Sequence, residues 1–485
     1  MYLTRCVVFT TCLLIQLSLP IISGSSTAVA QESEIRKWTF RQCVDHALQN
    51  NIRIKQSELN VAVGEANLLQ SMANFLPDLN GGVSHGYNFG RSIDPFTNQF
   101  TTERIQSNNF SLNSSVTLFS GFQNLNSWKQ SKTDLEASQF DSQKAKNDII
   151  LAIADAYLQI LFSGELFENA AIQLVTSQKQ LERTGKLVDA GSLPESNFFE
   201  MKAQVAQDEL TLVNAENQLD ISKLNLAQFL DLESYENFDV AKPDFSGIGK
   251  INFTGIDKNI FNTAEQIMPE IKSADLKVAS AEKGIAISRG SNFPRLSLSG
   301  AIYTGYSSAR ELNEIIIDTF PIGFLTNNPT ETVSAPNPIF KPEPYPFSKQ
   351  TDDNLSQSLS FNLSFPIFNR LQTRTATSMA IISQKNAEFE AANARNQLRK
   401  EIQQVFANAK AANKKYIASK NQVEAQRKVF QDTEVRYNQN MVNTVDYNIA
   451  KNNLTKAESD LVQAKYEFIF RLKILDFYLG KPISF

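Results

Sequence analysis

Two long stretches without proline constrain this chain of 485 residues more than any other feature. They span residues 120–189 and 371–439, and apolar side chains recur in them at helical spacing, as at Ile149, Ile153 and Ile160. Each stretch of about 70 residues predicts a helix roughly 105 Å long at 1.5 Å per residue. Such a helix cannot pack inside one globular domain, so it requires neighbours of equal length, as in a coiled coil or a helical barrel.

The two stretches belong to an internal duplication. Residues 52–69 match residues 269–286 at an offset of 217, and residues 119–230 match residues 368–479 at an offset of 249. The 32 additional residues of the second copy fall in a proline-rich segment between the two matched regions. Because one plan is used twice, we predict two structural repeats rather than a series of unrelated domains.

Each repeat is predicted to run helix, strand, loop, strand, long helix, turn and returning helix. The first repeat, 31–250, has predicted strands 78–90 and 108–118, long helix 120–189 and returning helix 195–231. The second repeat, 251–485, has predicted helix 262–290, strands 295–306 and 354–366, long helix 371–439 and returning helix 445–480. The proline-rich segment 307–352 is predicted to be a long loop.

The four predicted strands alternate apolar and small polar residues at period two. The alternation is clearest in the fourth, where Leu359, Phe361 and Leu363 alternate with Ser360 and Asn362. An ordinary half-buried sheet of a soluble domain has the same pattern. Two duplicated hairpins, each followed by a very long helix, favour instead strands that cross a bilayer.

One chain carries too few strands to close a membrane barrel, because the smallest such barrels need about eight. An open sheet edge in lipid would leave backbone N–H and C=O groups unpaired. We therefore predict a fold that is mainly α with a transmembrane β-barrel. In it, a homotrimer with four strands per chain forms a 12-stranded barrel in outer-membrane lipid, continuous with a barrel of long helices.

Residues 1–30 have the pattern of a secretory signal peptide. Arg5 precedes an apolar run, and Ala28 and Ala30 give the cleavage pattern. Two of the three cysteines would leave with this peptide, so the exported chain would keep only Cys43 and form no internal disulfide. No apolar run of about 18 residues follows, so the exported protein is either soluble or meets the bilayer as β-strands.

The composition argues against enzymatic and nucleic-acid functions. The chain has two histidines, and its 47 Lys and Arg residues are balanced by 51 Asp and Glu residues. Zinc sites, histidine bases and catalytic triads usually need histidines, and this chain has few. A nucleic-acid binder usually has an excess of basic residues, which this chain lacks. We therefore expect no enzymatic activity, no catalytic, cofactor or metal site, and no nucleic-acid partner.

Five short motifs carry a resemblance to a known family. They are WTFRQCVDHALQNN (38–51), NFLPDL (74–79), TLFSGF (117–122), NFPRLSL (292–298) and FPIFNR (365–370). Their order, duplication and spacing resemble those of the TolC-like outer-membrane efflux proteins, the outer-membrane factors. The resemblance implies a trimeric channel-tunnel in the outer membrane of a Gram-negative bacterium, extending into the periplasm. Segment 307–352 would then be an extracellular loop.

The resemblance also implies a function and partners. Family members export small molecules or polypeptides, in tripartite efflux or type I secretion systems. They do so passively, with a periplasmic adaptor (a membrane fusion protein) and an inner-membrane transporter of the RND or ABC type. The alternative that remains open is an exported coiled-coil structural or adhesive protein without a pore.

The family's functional residues lie at the turns between long and returning helices, the periplasmic tips. Gly191 fits the glycine that begins this turn, and Asn440 takes its place in the second turn. The residues that the resemblance implies contact the adaptor are Gly191, Ser192, Leu193, Asn440, Met441 and Val442. Ordinary turn chemistry with a hydrophobic staple explains these residues equally well, so both interpretations stay open.

In the family, an acid six residues after the turn glycine begins the returning helix. Asp446 fits this acid in the second turn, and Ile449 stands where a further acid would follow one turn later. Three copies of Asp446 would form an acidic ring around the periplasmic aperture that favours cations. An Asp near a helix N-terminus is also favourable by itself, and both roles are compatible.

Family members hold the tip closed with a Tyr and an Arg of the second turn, bonded to an acid of the first. Tyr437 matches the Tyr, whereas Val442 stands in place of the Arg and Asn197 in place of the acid. The resemblance therefore implies that the charged part of this latch is missing. A neutral hydrogen bond from Tyr437 to Asn197 is the part that can remain.

Overall fold

The structure is a computed structural model that describes residues 36–93, 98, 100–101, 104–234, 238–243, 256–439 and 441–483. The predicted signal peptide, residues 1–30, lies outside the described residues. The helices are α1 (Phe40–Asn50), α2 (Ile52–Ala73), α3 (Gln123–Asp189), α4 (Glu195–Phe229), α5 (Ile256–Ile267), α6 (Pro269–Gly290), α7 (Phe347–Asp353), α8 (Gln372–Asn438) and α9 (Thr444–Tyr478). The strands are β1 (Arg36–Trp38), β2 (Asn80–Asn88), β3 (Ser92–Ile93), β4 (Phe100–Thr101), β5 (Ile105–Ser120), β6 (Phe238–Val240), β7 (Arg295–Ser307), β8 (Glu311–Leu325), β9 (Asn328–Pro344) and β10 (Ser356–Ser364).

The internal duplication is visible in the lengths of the helices. The short helices α2 and α6 have 22 residues each, the long helices α3 and α8 have 67 each, and the returning helices α4 and α9 have 35 each. Each long helix packs along its own returning helix. The molecule therefore contains the same helical hairpin twice, roughly 100 Å long at 1.5 Å per residue.

Both long helices begin after two residues in the left-handed backbone region. The φ angles are 60° and 61° at Gly121 and Phe122, and 55° and 63° at Arg370 and Leu371. This conformation costs roughly 1 kcal/mol at a non-glycine residue, so the same costly junction is built into both repeats. Gly121 is needed for space as well, because a Cβ atom there would lie 2.2 Å from the carbonyl oxygen of Gly290.

Strands β2, β5, β7 and β10 form one antiparallel sheet in that order. Its register pairs Val83 with Phe110 and Leu298 with Phe361, so apolar positions of neighbouring strands meet on one face. Within the described part of the chain, β2 and β10 pair on one side only. The sheet of a single chain therefore has two open edges.

The two faces of this sheet differ in chemistry. One face carries large apolar side chains that stay exposed in the single chain; Val83 is 75% and Leu359 71% exposed. The opposite face, called here the Ser/Asn face, is lined by small polar residues. These include Asn80, Ser84, Ser111, Asn113, Ser115, Thr117, Ser297, Ser299, Ser358, Ser360 and Asn362. Such a division is typical of a wall between hydrocarbon and water.

The proline-rich segment is not the loop predicted for 307–352. It forms a two-stranded antiparallel sheet of β8 and β9, followed by the short helix α7. Pro336, Pro338, Pro342 and Pro344 all fall at alternate positions of β9. Proline has no N–H group, but on an edge strand it can occupy the positions that point away from the partner. The prolines are thus compatible with the hairpin.

Helix α7 lies just before the first residue of β10 and covers the edge of β7 that extends past Tyr303, where β10 has not yet begun. The buried Gln350 side chain accepts a hydrogen bond from the Ser307 N–H at 3.0 Å and donates one to the Ser307 carbonyl at 2.9 Å. Asn354 donates to the Gly305 carbonyl at 2.7 Å. Side chains therefore replace the strand partner that β7 lacks at this end.

The hydrophobic core lies at mid-height of the long helices. One cluster joins α1, α3, α4 and α9 around Ile153 and Tyr157, and a second joins α5, α6, α8 and α9 around Ile402. The parallel pair of β1 and β6, which the sequence did not predict, borders the first cluster, and the Tyr157 hydroxyl donates to the Ala241 carbonyl at 2.6 Å. One 18-residue window of α3 is apolar enough to span a membrane, but half of it is buried in the protein, as in a core helix.

The single helix predicted over 262–290 is two helices. α5 ends at Ile267, and α6 begins with Pro269 at its first position. Proline suits the first turn of a helix and cannot continue the preceding one, because it lacks the N–H group that would bond to the previous turn. The backbone of Met268 is extended, which separates the two helices.

Candidate functional site

The first turn between helices is closed by its backbone. Gly191 has a φ of 71°, its N–H donates to the Val188 carbonyl at 2.8 Å, and the Ser192 N–H donates to the Leu187 carbonyl at 2.8 Å. These bonds form a Schellman motif, in which a left-handed residue lets the last carbonyls of the helix find donors. No side chain caps the start of α4, whose N-cap is Pro194.

The second turn uses the same backbone bond but a side-chain cap. The Met441 N–H donates to the Arg436 carbonyl at 2.9 Å, at the position equivalent to Ser192. Asn440, one of the residues expected to contact the adaptor, lies outside the described residues. Asn443 caps α9, because its side-chain oxygen accepts a hydrogen bond from the Asp446 N–H at 2.8 Å.

The cap fixes Asp446 in the first turn of α9, where the helix dipole favours a negative charge. Its side chain is exposed, and among the described residues no cation pairs with its carboxylate. Ile449 lies one turn further along the helix and is 54% exposed. Residues three apart share a helix face, so an unpaired acid and an apolar side chain lie together at this end of the protein.

The contacts of Tyr437 are made within its own hairpin. Tyr437 is 8% exposed, its ring stacks on Tyr447 with centroids 4.6 Å apart, and its hydroxyl lies 3.5 Å from the Thr444 hydroxyl. Asn197 instead makes a local backbone bond to Pro194. The Tyr437–Asn197 bond stays a prediction from the resemblance, and Val442, half-buried beside the turn, supplies no charge.

The aromatic stack strengthens the second turn from inside. Tyr447 is 2% exposed and also contacts Phe430, with ring centroids 5.6 Å apart. Burial, followed by the nearby Glu434 carboxylate, raises the pKa of Tyr447 to about 12, so its hydroxyl stays neutral at physiological pH. The stack therefore acts as packing, without contributing charge to the tip.

The remaining residues expected at the adaptor surface are accessible. Gly191 and Ser192 are exposed, Leu193 is half-buried, and Met441 is 71% exposed. Phe199, about one turn into the returning helix of the first hairpin, is 56% exposed as well. The tip thus presents apolar side chains to its surroundings, as a surface does that binds another protein.

Sequence reasoning missed the contacts that join the two hairpins near the tip. Arg183 of α3 donates a hydrogen bond to the side chain of Asn438, at the end of α8. A few turns away, Lys451 of α9 lies 3.2 Å from the Asp208 carboxylate of α4. Ser177 of α3 bonds to both of these charged groups.

The Lys451–Asp208 pair is buried: the two residues are 3% and 5% exposed. Gln204 satisfies the second carboxylate oxygen at 2.9 Å. Burial lowers the pKa of Lys451, although the Asp208 charge opposes that shift. One feature of the sequence indicated that Asp208 occupies an interior position: the equivalent residue in the second repeat is the apolar Ala457.

Comparison with known proteins identifies the family. The model of the outer membrane efflux protein family matches residues 43–231 and 260–481, once in each repeat. The chain therefore belongs to the outer membrane efflux protein family, as the motifs suggested. Its family and fold are those of outer-membrane export channels, and it is located in the outer membrane and extends into the periplasm.

Individual relatives are distant. The chain is 22% identical over 292 residues to the pyoverdine export outer membrane protein OpmQ of Pseudomonas aeruginosa; the match covers 58% of this chain and 60% of that relative. The chain thus spans about three fifths of the length of this curated relative.

Solved structures cover nearly the whole chain. The outer membrane channel CmeC of Campylobacter jejuni has a TM-score of 0.72 at 15% identity, covering 91% of this chain and 85% of that one. The outer membrane protein VceC of Vibrio cholerae has a TM-score of 0.71 at 15% identity, covering 92% of this chain and 97% of that one. The predicted fold class of the chain is thereby confirmed.

Proposed function

We propose that three copies of this protein form a passive channel-tunnel that exports solutes across the outer membrane. The four-stranded sheet carries the proposal: it has two open edges, an exposed apolar face and a Ser/Asn face. In lipid, open edges are too costly to persist. Three sheets joined edge to edge give 12 strands, a barrel wide enough for an aqueous lumen lined by the Ser/Asn faces.

The helices support the same assembly. Apolar side chains remain exposed along them in the single chain, including Leu59 and Leu69 on α2 and Ile382 and Phe389 on α8, each at least 66% exposed. Helices α2, α3, α6 and α8 pack side by side in that order, so α2 and α8 lie at opposite edges of the layer and neighbouring copies can cover both rows. Burial of such rows is the usual reason for helices of this length to associate.

The exposed surface at the tips supports the proposed partners. A periplasmic adaptor of the membrane fusion protein class would contact the surface at Gly191, Ser192, Leu193, Asn440 and Met441, and an inner-membrane transporter of the RND or ABC type would supply the energy. The likeness to a pyoverdine export protein favours small-molecule cargo over polypeptides. In this assembly, Asp446 and Ile449 would border the aperture.

Planar bilayers test the channel and the aperture together. The purified protein is expected to give stepwise ion currents with a preference for cations, because three Asp446 carboxylates attract them. Asp446→Asn should reduce the cation preference and weaken block by divalent cations on the periplasmic side. The matched control is Glu195→Gln, which removes an exposed acid from the first turn of the other returning helix.

Each result has a separate meaning. Absence of current steps from wild-type trimers would contradict the channel and favour an exported structural protein. Steps with the same selectivity in Asp446→Asn would leave the channel intact and remove Asp446 from the aperture. An equal change in Glu195→Gln would mean that the tip acts through its overall charge.

A further inference from the structure

The duplication places opposite charges at equivalent positions of the two repeats. Asp78 follows Pro77 at the junction from α2 to β2, and Arg295 follows Pro294 at the junction from α6 to β7, at the same offset of 217. Both side chains are exposed. The two junctions lie at the end of the sheet where the strands meet the long helices.

The carboxylate of Asp78 lies on the Ser/Asn face. One of its oxygens accepts hydrogen bonds from the Ser115 N–H at 2.5 Å and from the Ser115 hydroxyl at 2.9 Å. The other accepts one from the Asn80 side chain at 3.2 Å. Ser115 and Asn80 both belong to the Ser/Asn face, and all of these donors are neutral.

The guanidinium of Arg295 lies on the same face. It donates a hydrogen bond to the Thr117 hydroxyl at 3.2 Å, and Thr117 is paired with Ser297 in the register of β5 and β7. Within the described part of the chain, no carboxylate pairs with Arg295 and no cation pairs with Asp78. Each group therefore keeps its charge available to the space in front of the sheet.

The surrounding strands contain no competing charge. In β2, β5, β7 and β10, Arg295 is the sole Lys, Arg, Asp or Glu residue. The Ser/Asn face is thus neutral along its length, and Asp78 and Arg295 are its charged groups at the helix end. One strand, β5, separates their two strands, which are roughly 10 Å apart at 4.8 Å per strand.

We propose that Asp78 and Arg295 form a ring of six alternating charges at the neck of the barrel and select for solutes that carry both charges. This inference rests on the proposed trimer. There, β10 separates Arg295 from the Asp78 position of the next copy, as β5 does within the chain. The ring has no net charge, so a simple ion meets attraction and repulsion in turn, whereas a zwitterionic solute finds a partner for each of its charges.

Selectivity measured in planar bilayers at about 10 mM salt, where the Debye length is about 30 Å, tests the ring. Arg295→Gln leaves three carboxylates and should raise the ratio of cation to anion permeability about two- to threefold. Asp78→Asn leaves three guanidinium groups and should lower that ratio by a similar factor. The double variant Asp78→Asn, Arg295→Gln should return to the wild-type ratio.

Arg41→Gln is the matched control, because it removes one exposed positive charge from α1, outside the sheet. It should leave the ratio unchanged. The charge-exchanged variant Asp78→Arg, Arg295→Asp rebuilds the ring and should also keep the wild-type ratio. In liposome swelling, the wild type should admit a zwitterionic dipeptide faster than a singly charged one of equal size, and each single variant should lose that preference.

The outcomes separate the ring from the channel. Wild-type current steps together with unchanged ratios in both single variants would overturn the ring and leave the channel standing. A double variant that departs from the wild-type ratio as far as a single variant would also overturn it. Absence of steps from the wild type would contradict the channel, and the ring with it.

Discussion

The two helical hairpins have the same length but close their turns by different chemistry. The first turn relies on its backbone, with Gly191 in the left-handed region and no side-chain cap on α4. The second turn has an Asn443 side-chain cap and a buried stack of Tyr437 and Tyr447. The duplicated backbone was therefore kept while the side chains diverged, and an acid remains at position 446 but not at its equivalent, Asn197.

The hairpins differ again where they touch each other. Asp208 of the first hairpin binds Lys451 of the second in a buried pair. In the duplication, Ala457 of the second hairpin is equivalent to Asp208, and Lys202 of the first hairpin is equivalent to Lys451. Lys202 is exposed. Within one chain, the contact between the two hairpins therefore contains a buried ion pair. Where the second hairpin of one chain meets the first hairpin of the next chain in a trimer, the equivalent residues could not form this pair.

The largest expected effect on stability comes from breaking the buried ion pair between Lys451 and Asp208. Lys451→Met should lower the free energy of unfolding by about 3–5 kcal/mol, because the Asp208 carboxylate would stay buried without its counter-charge. Thermal unfolding of the purified protein in detergent, followed by circular dichroism, measures the loss. Lys202→Met, at the equivalent exposed position, should change stability by less than about 0.5 kcal/mol.

A double variant sharpens this comparison. Lys451→Met with Asp208→Asn removes both charges and leaves an amide that can still bond to Ser177 and Gln204, so it should recover most of the loss. If Lys451→Met alone costs no more than Lys202→Met, the buried pair contributes nothing to the difference between the two hairpins.

A smaller effect is expected at the first turn. Gly191→Ala should cost about 1–2 kcal/mol, since alanine is strained at a φ of 71°. Nothing lies within 4 Å of a Cβ atom there, so the cost comes from the backbone alone. Gly191→Asn should cost less, because asparagine tolerates this conformation better and already stands at the equivalent position 440. Equal losses in the two variants, measured by thermal unfolding, would contradict the backbone explanation.

The smallest effect is expected from removing the Tyr437 hydroxyl alone. Tyr437→Phe keeps the ring stacked on Tyr447 and loses only a contact of 3.5 Å to Thr444, so stability should fall by less than about 1 kcal/mol. The channel current should stay unchanged. Tyr437→Ala removes the ring and should cost about 3 kcal/mol. A higher current in Tyr437→Phe would favour a hydroxyl latch between hairpins over the packing described here.

Repetition and periodicity made most of the fold predictable. The proline-free stretches predicted α3 and α8, and the alternation from Leu359 to Leu363 predicted β10 together with its two faces. These signals are local, so one sequence suffices to read them. The resemblance added the family, which composition and spacing by themselves did not define.

The sequence predictions failed where the physics depends on distant partners or on strand position. Prolines indicated a loop for 307–352, yet on the edge strand β9 they leave the pairing with β8 intact. The tie between Asp208 and Lys451 joins residues 243 positions apart, and no pattern along the chain pairs them. The stack of Tyr437 on Tyr447 was likewise not indicated by any pattern along the chain.

The prolines of β9 have a consequence for how the β8–β9 hairpin meets other chains. An isolated hairpin with exposed isoleucines, such as Ile315 and Ile317, is a natural seed for intermolecular strand addition and fibril growth. At Pro336, Pro338, Pro342 and Pro344, strand β9 offers no amide hydrogen to an incoming strand. The residues that made this segment look unstructured therefore make β9 a poor template for aggregation.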